Sequence, residues 1–259
     1  MARTPPGLEL PRNEPAPLIA EQPRGPDVLR LLKGFSLALL IFGPSLIPGP
    51  TALAQDALPA CRYDDLPTPH DAYEDWALTL LDPLYRLDER YAPPDLEPLA
   101  ELGLPGEHRA RALLLDDLRA LLEAAAEAGT PLAVQSAYRS HAYQARTFAS
   151  WVGRNGEAAA LLTSARAGHS EHQLGTALDF RSADGPPAWE LEDWGATPAG
   201  AWLAANAARY GFVMSYPQGA QESVCYSYEP WHYRYLGRER AQAVAASGLS
   251  LREWLWRQQ

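Results

Sequence analysis

Basic residues are scarce in this sequence. Lys and Arg together number 22 against 32 Asp and Glu, and Lys33 is the only lysine, so the formal net charge is −10. Nucleic acids and anionic lipids bind to positively charged surfaces, and a protein with this net negative charge repels both. The sequence also lacks internal repeats, coiled-coil heptads and a glycine-rich phosphate loop. We therefore expect no nucleic-acid partner and no fibrous or nucleotide-binding architecture.

Long apolar runs are also missing. The one substantial run, residues 35–47, is short for a membrane span and is interrupted by Gly and Pro. It follows two basic residues and precedes the small residues of 52–54, which is the order of a secretory signal. Residues 1–27 are rich in Pro and charge without any period, so we expect a disordered leader. The sequence thus predicts a leader plus signal over 1–54 and export to the periplasm or cell envelope.

Two features of this leader stay open. An uncleaved signal would anchor the chain in the membrane by its N-terminus, whereas cleavage after Ala54 would release a mature protein that starts at Gln55. The basic part of the signal also lies unusually far from Met1. This distance favours a translation start near Val28.

Cysteine is almost absent, with two residues at Cys61 and Cys225. Both lie after the expected cleavage site, and an even pair in an exported chain favours a disulfide. Such a bond would tie the mature N-terminus to the segment that leads into Glu229. Two alternatives remain: residues 58–61 loosely resemble a lipoprotein cleavage box with an atypical Pro59, and the two thiols could be buried and unpaired.

The mature region, residues 55–259, is long and apolar enough for one domain with a substantial core, at about residues 63–246. Apolar residues recur at helical spacing in some segments, and short apolar runs between turn residues predict strands. Strands interspersed with helices predict an α+β domain built on an antiparallel sheet flanked by helices. The predicted helices are 73–87, 108–128, a helix from Ser140 to the turn at 153–156, 197–210, 238–246 and 249–256, and the predicted strands are 132–138, 177–180, 212–216 and 224–228. Ser140 and Thr197 are expected to cap the N-termini of their helices with their hydroxyl groups.

Two segments about fifty residues apart offer metal ligands. Residues 170–179 read Ser-Glu-His-Gln-Leu-Gly-Thr-Ala-Leu-Asp, and residues 229–232 read Glu-Pro-Trp-His. Zinc in hydrolytic enzymes usually takes three protein ligands from His and Asp or Glu and keeps a fourth position open. His172, Asp179 and His232 would complete that set. A His and an Asp seven residues apart are, on their own, more simply explained as surface groups or a buried ion pair.

Glu229 is left over from this ligand set and lies three residues before His232. That place suits a general base that takes a proton from the attacking water and passes it to the leaving amine. Residues three apart on a regular strand point to opposite faces, so a kink at Pro230 would be needed for both to face one metal. Gly175 predicts a tight turn between the first two ligands.

Arg139 follows a predicted strand, within Ser-Ala-Tyr-Arg-Ser over residues 136–140. Arginine is ordinarily a solvated surface residue, but the end of an apolar strand would deliver this one to the site. Its permanently charged fork of donors matches the oxyanion of a tetrahedral intermediate or a terminal carboxylate.

Together these three strings resemble the VanY-like D-alanyl-D-alanine carboxypeptidase family of zinc peptidases. They come in the family's order with its approximate spacing, and the similarity covers about residues 63–236. The resemblance implies the DD-peptidase/Hedgehog fold, one Zn²⁺ per chain and an oxyanion-stabilising role for Arg139. It also implies substrate contacts for Gln144 and Ser170, for which the alternatives are a local backbone contact and a turn-capping hydroxyl. His169 matches no ligand of the family motif, and we expect it to be exposed.

The function that this resemblance implies is removal of the C-terminal D-alanine from the peptide stems of peptidoglycan. We separately expect the protein to be a monomer. An L,D-carboxypeptidase, a D,D-dipeptidase and a peptidoglycan endopeptidase would share the metal site and differ in pocket shape, which a sequence does not display. A non-catalytic wall-binding module with a structural zinc is a further alternative, although closed structural sites tend to use four protein ligands.

Overall fold

The computed structural model describes residues 57–104 and 106–259. The predicted leader and signal over 1–54 and the expected mature N-terminus at Gln55 lie outside the described residues. Within the described part, no helix is long and apolar enough to cross a membrane.

Eight short strands and seven helices, joined by several 3₁₀ turns, make up the described region. The strands are β1 Leu66–Pro67, β2 Tyr85–Arg86, β3 Leu96–Pro98, β4 Arg109–Arg111, β5 Leu132–Ser136, β6 Ala177–Ser182, β7 Phe212–Met214 and β8 His232–Tyr235. The helices are α1 Leu115–Glu127, α2 His141–Asn155, α3 Glu157–Thr163, α4 Pro198–Asn206, α5 Gln221–Val224, α6 Arg238–Ser247 and α7 Leu251–Trp256.

Four of the strands form one antiparallel sheet in the order β5-β6-β8-β7. The two central strands, β6 and β8, pair Asp179 directly with His232. Directly opposed residues of an antiparallel pair have β-carbons about 5 Å apart. The register of the sheet therefore brings two of the predicted ligands together. On the other side of β6, an irregularity between Val134 and Ser136 leaves Ser136 opposite Asp179.

The alternation of side chains along β6 and β8 separates the core from the site. Leu178 and Phe180 on β6 belong to the main hydrophobic core, together with Tyr233 on β8 and side chains from α1 and α4. Successive side chains on a strand point to opposite faces of the sheet. Asp179 and His232 therefore project from the face opposite to this core.

The predicted fold class is confirmed, since the sheet is antiparallel and α1, α4 and α6 contact its strands. Two predicted helix caps are also present. The Ser140 hydroxyl oxygen accepts the amide N–H of Tyr143 at the start of α2 (3.2 Å), and that of Thr197 accepts the amide N–H of Gly200 at the start of α4 (3.1 Å). Side-chain caps satisfy N–H groups that the first turn leaves unpaired.

The helix predicted over 73–87 is wrong. A 3₁₀ turn at Tyr73–Asp75 is its only helical part, and its end forms β2. The carboxylate of Asp82 accepts the amide N–H groups two and three residues later, at 2.9 and 2.8 Å. Pro83 has no N–H with which to continue a helix. The hydrogen bonds of the Asp82 side chain therefore stabilise a turn here, although the apolar residues have the spacing of a helix.

The helix predicted over 108–128 begins late, with α1 starting at Leu115. A 3₁₀ turn over Ala112–Leu114 precedes it, and the residues before that turn form β4, which pairs in antiparallel fashion with β3. Pairing with β3, whose residues lie 11 to 15 positions earlier in the chain, thus decides the conformation of residues 109–111.

The strand predicted over 224–228 is wrong. The chain makes the short helix α5 and then reverses at Cys225, whose φ of +72° lies in the left-handed region. The amide N–H of Ser227 then donates to the carbonyl of Leu162 on α3 (2.9 Å). Residues 225–231 form an irregular segment, the rim loop, that is held by such single contacts and not by a strand ladder.

Candidate metal centre and substrate groove

Three different elements carry the predicted ligands. His172 lies in a 3₁₀ turn over Glu171–Leu174, Asp179 lies on β6, and His232 is the first residue of β8. All three side chains are buried. The hydroxyl of Ser170 accepts the amide N–H of His172 (3.4 Å) and so caps the turn. The ligands are therefore held by a capped turn and by the register of two adjacent strands.

Gly175 ends this turn with a φ of +71°. A β-carbon at this position would lie 2.9 Å from Cδ2 of Leu96 and 3.0 Å from Cγ of Arg111. Both the left-handed backbone and the close packing favour glycine. The tight turn predicted here is present, and it leads the chain directly into β6.

The ligand atoms of the three residues lie within 4.8 Å of one another. His172 Nε2 is 3.2 Å from Asp179 Oδ2, and His232 Nδ1 is 3.0 Å from Asp179 Oδ1. The other ring nitrogen of His172, Nδ1, donates to the carbonyl oxygen of Ala137 (2.6 Å). This contact leaves the lone pair on Nε2, which is buried and makes no hydrogen bond to any described residue. Two imidazoles and one carboxylate with an unused buried lone pair fit a divalent metal ion such as zinc.

A further buried carboxylate, that of Glu171, contacts the second ring nitrogen of His232. Oε2 of Glu171 is 2.9 Å from His232 Nε2 and accepts the hydroxyl of Ser215 (2.6 Å). Oε1 accepts from Nη1 of Arg234 (3.1 Å), whose side chain is fully buried. The sequence did not predict a role for Glu171. The available signal was an acidic residue next to a ligand, inside the same short motif.

The protonation states follow from these contacts. Burial favours a neutral carboxyl group, but the contacts with His172 and His232 outweigh it and hold the pKa of Asp179 well below its usual range. Burial is likewise outweighed at Glu171, where His232 and Arg234 lower the pKa to about 2. Burial would lower the pKa of His232, but its hydrogen bonds to the two carboxylates raise that pKa to about 10. Both carboxylates are therefore ionised, and they compensate the positive charge of the groups around them.

Glu229 lies on the rim loop and lines the same groove as the three ligands. Its amide N–H donates to the carbonyl of Tyr216 (3.1 Å), and its own carbonyl accepts the amide N–H of His232 (3.1 Å). The turn between Glu229 and His232 contains Pro230 and directs both side chains to the groove. Burial raises the pKa of Glu229 to about 7, so this carboxyl group differs from the ionised carboxylates beneath it.

Arg139 follows β5 and also lines the groove. Its amide N–H donates to the carbonyl of His172 (3.2 Å), and Nη2 of its guanidinium lies 3.8 Å from Oδ2 of Asp179. Its Nε is buried and unpaired with respect to the part of the chain that the structure describes. The guanidinium therefore has donors left for an oxygen atom of a substrate.

Gln144 and Ser170, the two predicted substrate contacts, are both buried and line the groove. Nε2 of Gln144 donates to the carbonyl of Ala165 (2.7 Å), while its Oε1 is buried without a partner among the described residues. Gln144 thus makes the local contact that we weighed as its alternative and still has an acceptor unused. Ser170 likewise makes the capping contact and still has a hydroxyl hydrogen to donate.

The groove has a volume of about 770 Å³. This value falls in the range of about 300–1,000 Å³ that is usual for ligand sites. Two of its aromatic side chains are unusually open to solvent, Tyr143 on α2 at 52% exposure and Trp189 at 45%. The groove therefore has the size of an ordinary ligand site, and these two aromatic side chains are solvent-exposed parts of its lining.

Cys61 and Cys225 form a disulfide, with their Cα atoms 5.3 Å apart. The bond joins the N-terminal segment of the described region to the start of the rim loop. It connects residues 164 positions apart and lies four residues before Glu229. The segment that carries Glu229 is thereby tied to a distant part of the chain.

His169 is not exposed, contrary to our expectation. Only 1% of its surface is accessible, because Nδ1 contacts the carbonyl oxygen of Asp82 (2.8 Å) and Nε2 contacts Oδ1 of Asp65 (3.0 Å). Both ring nitrogens are occupied by these contacts, so His169 is not available as a metal ligand.

The fold and the site together define a class of protein. Closed structural zinc sites use four protein ligands, whereas residues 57–104 and 106–259 bring three candidate ligands together here, and all three line an open groove. A separate carboxyl group and a guanidinium reach the same groove. This arrangement on an antiparallel α+β domain is that of a hydrolytic metalloenzyme.

Comparison with known proteins specifies the family. The sequence model of VanY, D-alanyl-D-alanine carboxypeptidase, matches residues 107–238. YodJ of Bacillus subtilis (strain 168) is 36% identical over 182 residues, which are 68% of this chain and 66% of YodJ. The solved LD-carboxypeptidase LdcB is 34% identical with a TM-score of 0.60, over 68% of this chain and 83% of that one. The vancomycin-resistance D,D-pentapeptidase VanY of a VanB-type cassette, solved with Zn(II), is 31% identical with a TM-score of 0.60, over 70% and 99%.

The chain therefore belongs to the VanY family of D-alanyl-D-alanine carboxypeptidases, which are hydrolytic metallopeptidases. The predicted family and enzyme class are confirmed. The chain spans about two thirds or less of the curated relatives that it matches, from 66% of YodJ to 27% of a D-alanyl-D-alanine carboxypeptidase of Enterococcus faecium.

Proposed function

We propose that this protein is a zinc-dependent D,D-carboxypeptidase that removes the terminal D-alanine from peptidoglycan stem peptides. The observation that carries the proposal is the meeting of three metal ligands with Glu229 and Arg139 at one groove. One Zn²⁺ held by His172, Asp179 and His232 would polarise the scissile carbonyl and activate a water molecule. The solved zinc-bound D,D-pentapeptidase with the same fold supports both the metal and the reaction.

Glu229 acts in this proposal as the general base and then the general acid. It lies on the rim loop beside the ligand set but is not part of it, so its carboxyl group remains free to exchange protons. It takes a proton from the attacking water and returns it to the amine of the departing D-alanine. Without this transfer the amine would have to leave as an anion, which is chemically unfavourable.

Arg139 acts as the stabiliser of the oxyanion. Its guanidinium reaches the groove beside Asp179, and its unused donors suit an oxygen that gains negative charge during attack. Ser170 has a hydroxyl donor for the terminal carboxylate of the substrate. Gln144 has an unused acceptor, Oε1, which suits a substrate N–H better than a carboxylate.

The experiment is release of D-alanine from a synthetic pentapeptide stem by the purified full chain. We expect release that a chelator abolishes and that added zinc restores. Glu229→Ala should lose the activity, whereas Glu222→Ala, an exposed acidic residue near the start of the same loop, should retain it. Persistent activity in chelator, or full activity of Glu229→Ala, would contradict the proposal.

An L,D-carboxypeptidase that acts on tetrapeptide stems is the second candidate. The observation that favours it is the LD-carboxypeptidase LdcB, which is as similar in structure as the D,D-enzyme and slightly more similar in sequence. The same assay on a tetrapeptide stem separates the two reactions. Faster release from the tetrapeptide would move the assignment to the L,D class, and internal cleavage of crosslinked stems would indicate an endopeptidase.

We further propose that the protein is exported and acts in the cell envelope, as the signal pattern in 1–54 predicts. The disulfide is consistent with an oxidising compartment. N-terminal sequencing of the protein from cells tests this: a start at Gln55 supports cleavage and export. A start at or before Val28 combined with cytoplasmic fractionation would contradict it.

A further inference from the structure

Glu171 occupies an unusual position for an acidic residue, because it is buried, neighbours one ligand in sequence and contacts another in space. It directly precedes His172, and its Oε2 is 2.9 Å from Nε2 of His232. Only 4% of its surface is accessible. Burial of a carboxylate is costly unless the charge is paired and hydrogen-bonded, so its partners are expected to be specific.

The partners of Glu171 divide between its two oxygens. Oε1 accepts from Nη1 of Arg234 at 3.1 Å. Oε2 accepts the hydroxyl of Ser215 at 2.6 Å and faces His232. Arg234 is itself fixed, since its Nη2 donates to the carbonyl oxygen of Trp76 (2.6 Å). Each oxygen of the carboxylate therefore has its own partners, and the carboxylate cannot rotate without losing these hydrogen bonds.

A purely structural explanation would make Glu171 the counter-ion of the fully buried Arg234. That explanation accounts for Oε1, but it does not account for Oε2, which Ser215 holds against the imidazole. The imidazole has its other nitrogen, Nδ1, 3.0 Å from Oδ1 of Asp179, on the side where the ligand atoms meet. A metal-binding nitrogen must be unprotonated, and the proton then belongs on the other nitrogen.

We propose that Glu171 is a positioning residue of the metal centre: with its carboxylate fixed by Ser215 and Arg234, it holds the Nε2–H of His232 and so directs the lone pair of Nδ1 toward the metal. The proposal rests on the function proposed above, in which His232 is a zinc ligand. Carboxylates that accept from a ligating histidine fix its tautomer and orientation and increase its basicity. Glu171 therefore contributes to metal affinity without touching the metal or the substrate.

The test is zinc affinity, measured on metal-free full-length protein by competition with a chromophoric chelator. Glu171→Gln keeps the size of the side chain and removes its charge, and we expect zinc to bind about 10 to 100 times more weakly. Ser215→Ala keeps the charge and removes one hydrogen bond, so we expect a smaller loss in the same direction. In the Co²⁺-substituted protein, the visible absorption bands should shift in Glu171→Gln, because they report the ligand field.

The chain offers a matched pair of controls at the N-terminus of α7, where Ser250 caps the helix and Glu253 lies in its first turn. The hydroxyl of Ser250 donates to Oε2 of Glu253 at 2.6 Å, the same contact as between Ser215 and Glu171. Glu253→Gln and Ser250→Ala should therefore bind zinc as the wild type does and leave the Co²⁺ spectrum unchanged. Circular dichroism shows whether each variant is folded; if Glu171→Gln fails to fold because Arg234 loses its partner, Ser215→Ala decides.

The outcomes are distinct. Weaker zinc binding and an altered spectrum in folded Glu171→Gln or Ser215→Ala, with unchanged controls, support the proposal. Wild-type affinity and spectrum in the folded variants would overturn it and leave Glu171 as the counter-ion of Arg234. Failure of the wild-type protein itself to bind zinc would overturn the proposed function, and this inference with it, before any variant is compared.

Discussion

The groove has a floor and a rim that are built differently. The floor, residues 171–179 with β8, consists of buried side chains whose distances are set by strand register and by a capped turn. The rim, formed by the rim loop and α2, is irregular or partly exposed, and the rim loop is held by one disulfide and a few long-range backbone hydrogen bonds. A metal ion requires fixed ligand positions, whereas a group that transfers protons requires freedom from tight ion pairs.

The carboxyl groups of the two regions differ in the same way. Asp179 and Glu171 on the floor have histidine and arginine partners that hold their pKa values below the usual range. Glu229 on the rim is desolvated without comparable partners, and burial raises its pKa to about 7. Within one groove, different surroundings thus give the carboxyl groups different pKa values, which suit the roles proposed for them: a permanent anion on the floor and a proton carrier on the rim.

The largest effect is expected from breaking the floor. Asp179 contacts both histidine ligands, so Asp179→Asn should abolish zinc binding and leave no measurable release of D-alanine. Metal content by mass spectrometry and the release assay check this. Asp184→Asn is the control, since it removes an exposed carboxylate shortly after β6. A variant that keeps both zinc and activity would show that Asp179 is not a ligand.

Breaking the rim should separate catalysis from metal binding. Glu229→Gln removes the proton carrier and leaves the three ligands in place, so we expect kcat to fall by about 10²–10⁴-fold. The zinc affinity should stay within a factor of two or three of the wild-type value, which corresponds to a change of about 0.5 kcal/mol in binding free energy. Steady-state kinetics and the chelator competition measure the two quantities. Loss of zinc from this variant would mean that Glu229 belongs to the floor.

Removing the disulfide tests how the rim is held. Cys61→Ser with Cys225→Ser opens a link between residues 164 positions apart, and we expect about 2–5 kcal/mol less stability toward unfolding. Chemical denaturation measures this loss. Because the rim loop carries Glu229 and the floor does not depend on this bond, kcat should fall while zinc affinity is retained. Unchanged stability in the double variant would show that the bond is not what holds the rim loop.

The smallest effect concerns the turn of the floor. Gly175→Ala and Gly129→Ala both place alanine at a positive φ, of +71° and +75°, which costs about 1–2 kcal/mol. Only Gly175 has close neighbours, at 2.9 and 3.0 Å, whereas Gly129 has open space. We expect Gly175→Ala to be the more destabilising of the two and to weaken zinc binding as well. Equal effects of both variants on stability and metal affinity would show that the close packing around Gly175 does not contribute to either quantity.

Prediction from sequence succeeded where the information was local. The caps at Ser140 and Thr197 and the turn at Gly175 depend on the chemistry of a few consecutive residues. It failed over 73–87 and 224–228, where apolar spacing suggested regular elements. In the first case the Asp82 side chain formed a turn, and in the second the backbone found partners on distant elements.

The sequence by itself determined the family, the fold class and the candidate ligands, because residue types at short spacings carry that information. Only the tertiary structure decided which ring nitrogen of each histidine faces the site. Nδ1 of His172 contacts the carbonyl oxygen of Ala137, and Nε2 of His232 contacts the carboxylate of Glu171, so the other nitrogen of each ring is left for the site. It also decided the place of Glu171, whose partners Ser215 and Arg234 lie 44 and 63 residues away. Contacts over such separations depend on how the strands pack, so they cannot be predicted from a local sequence pattern.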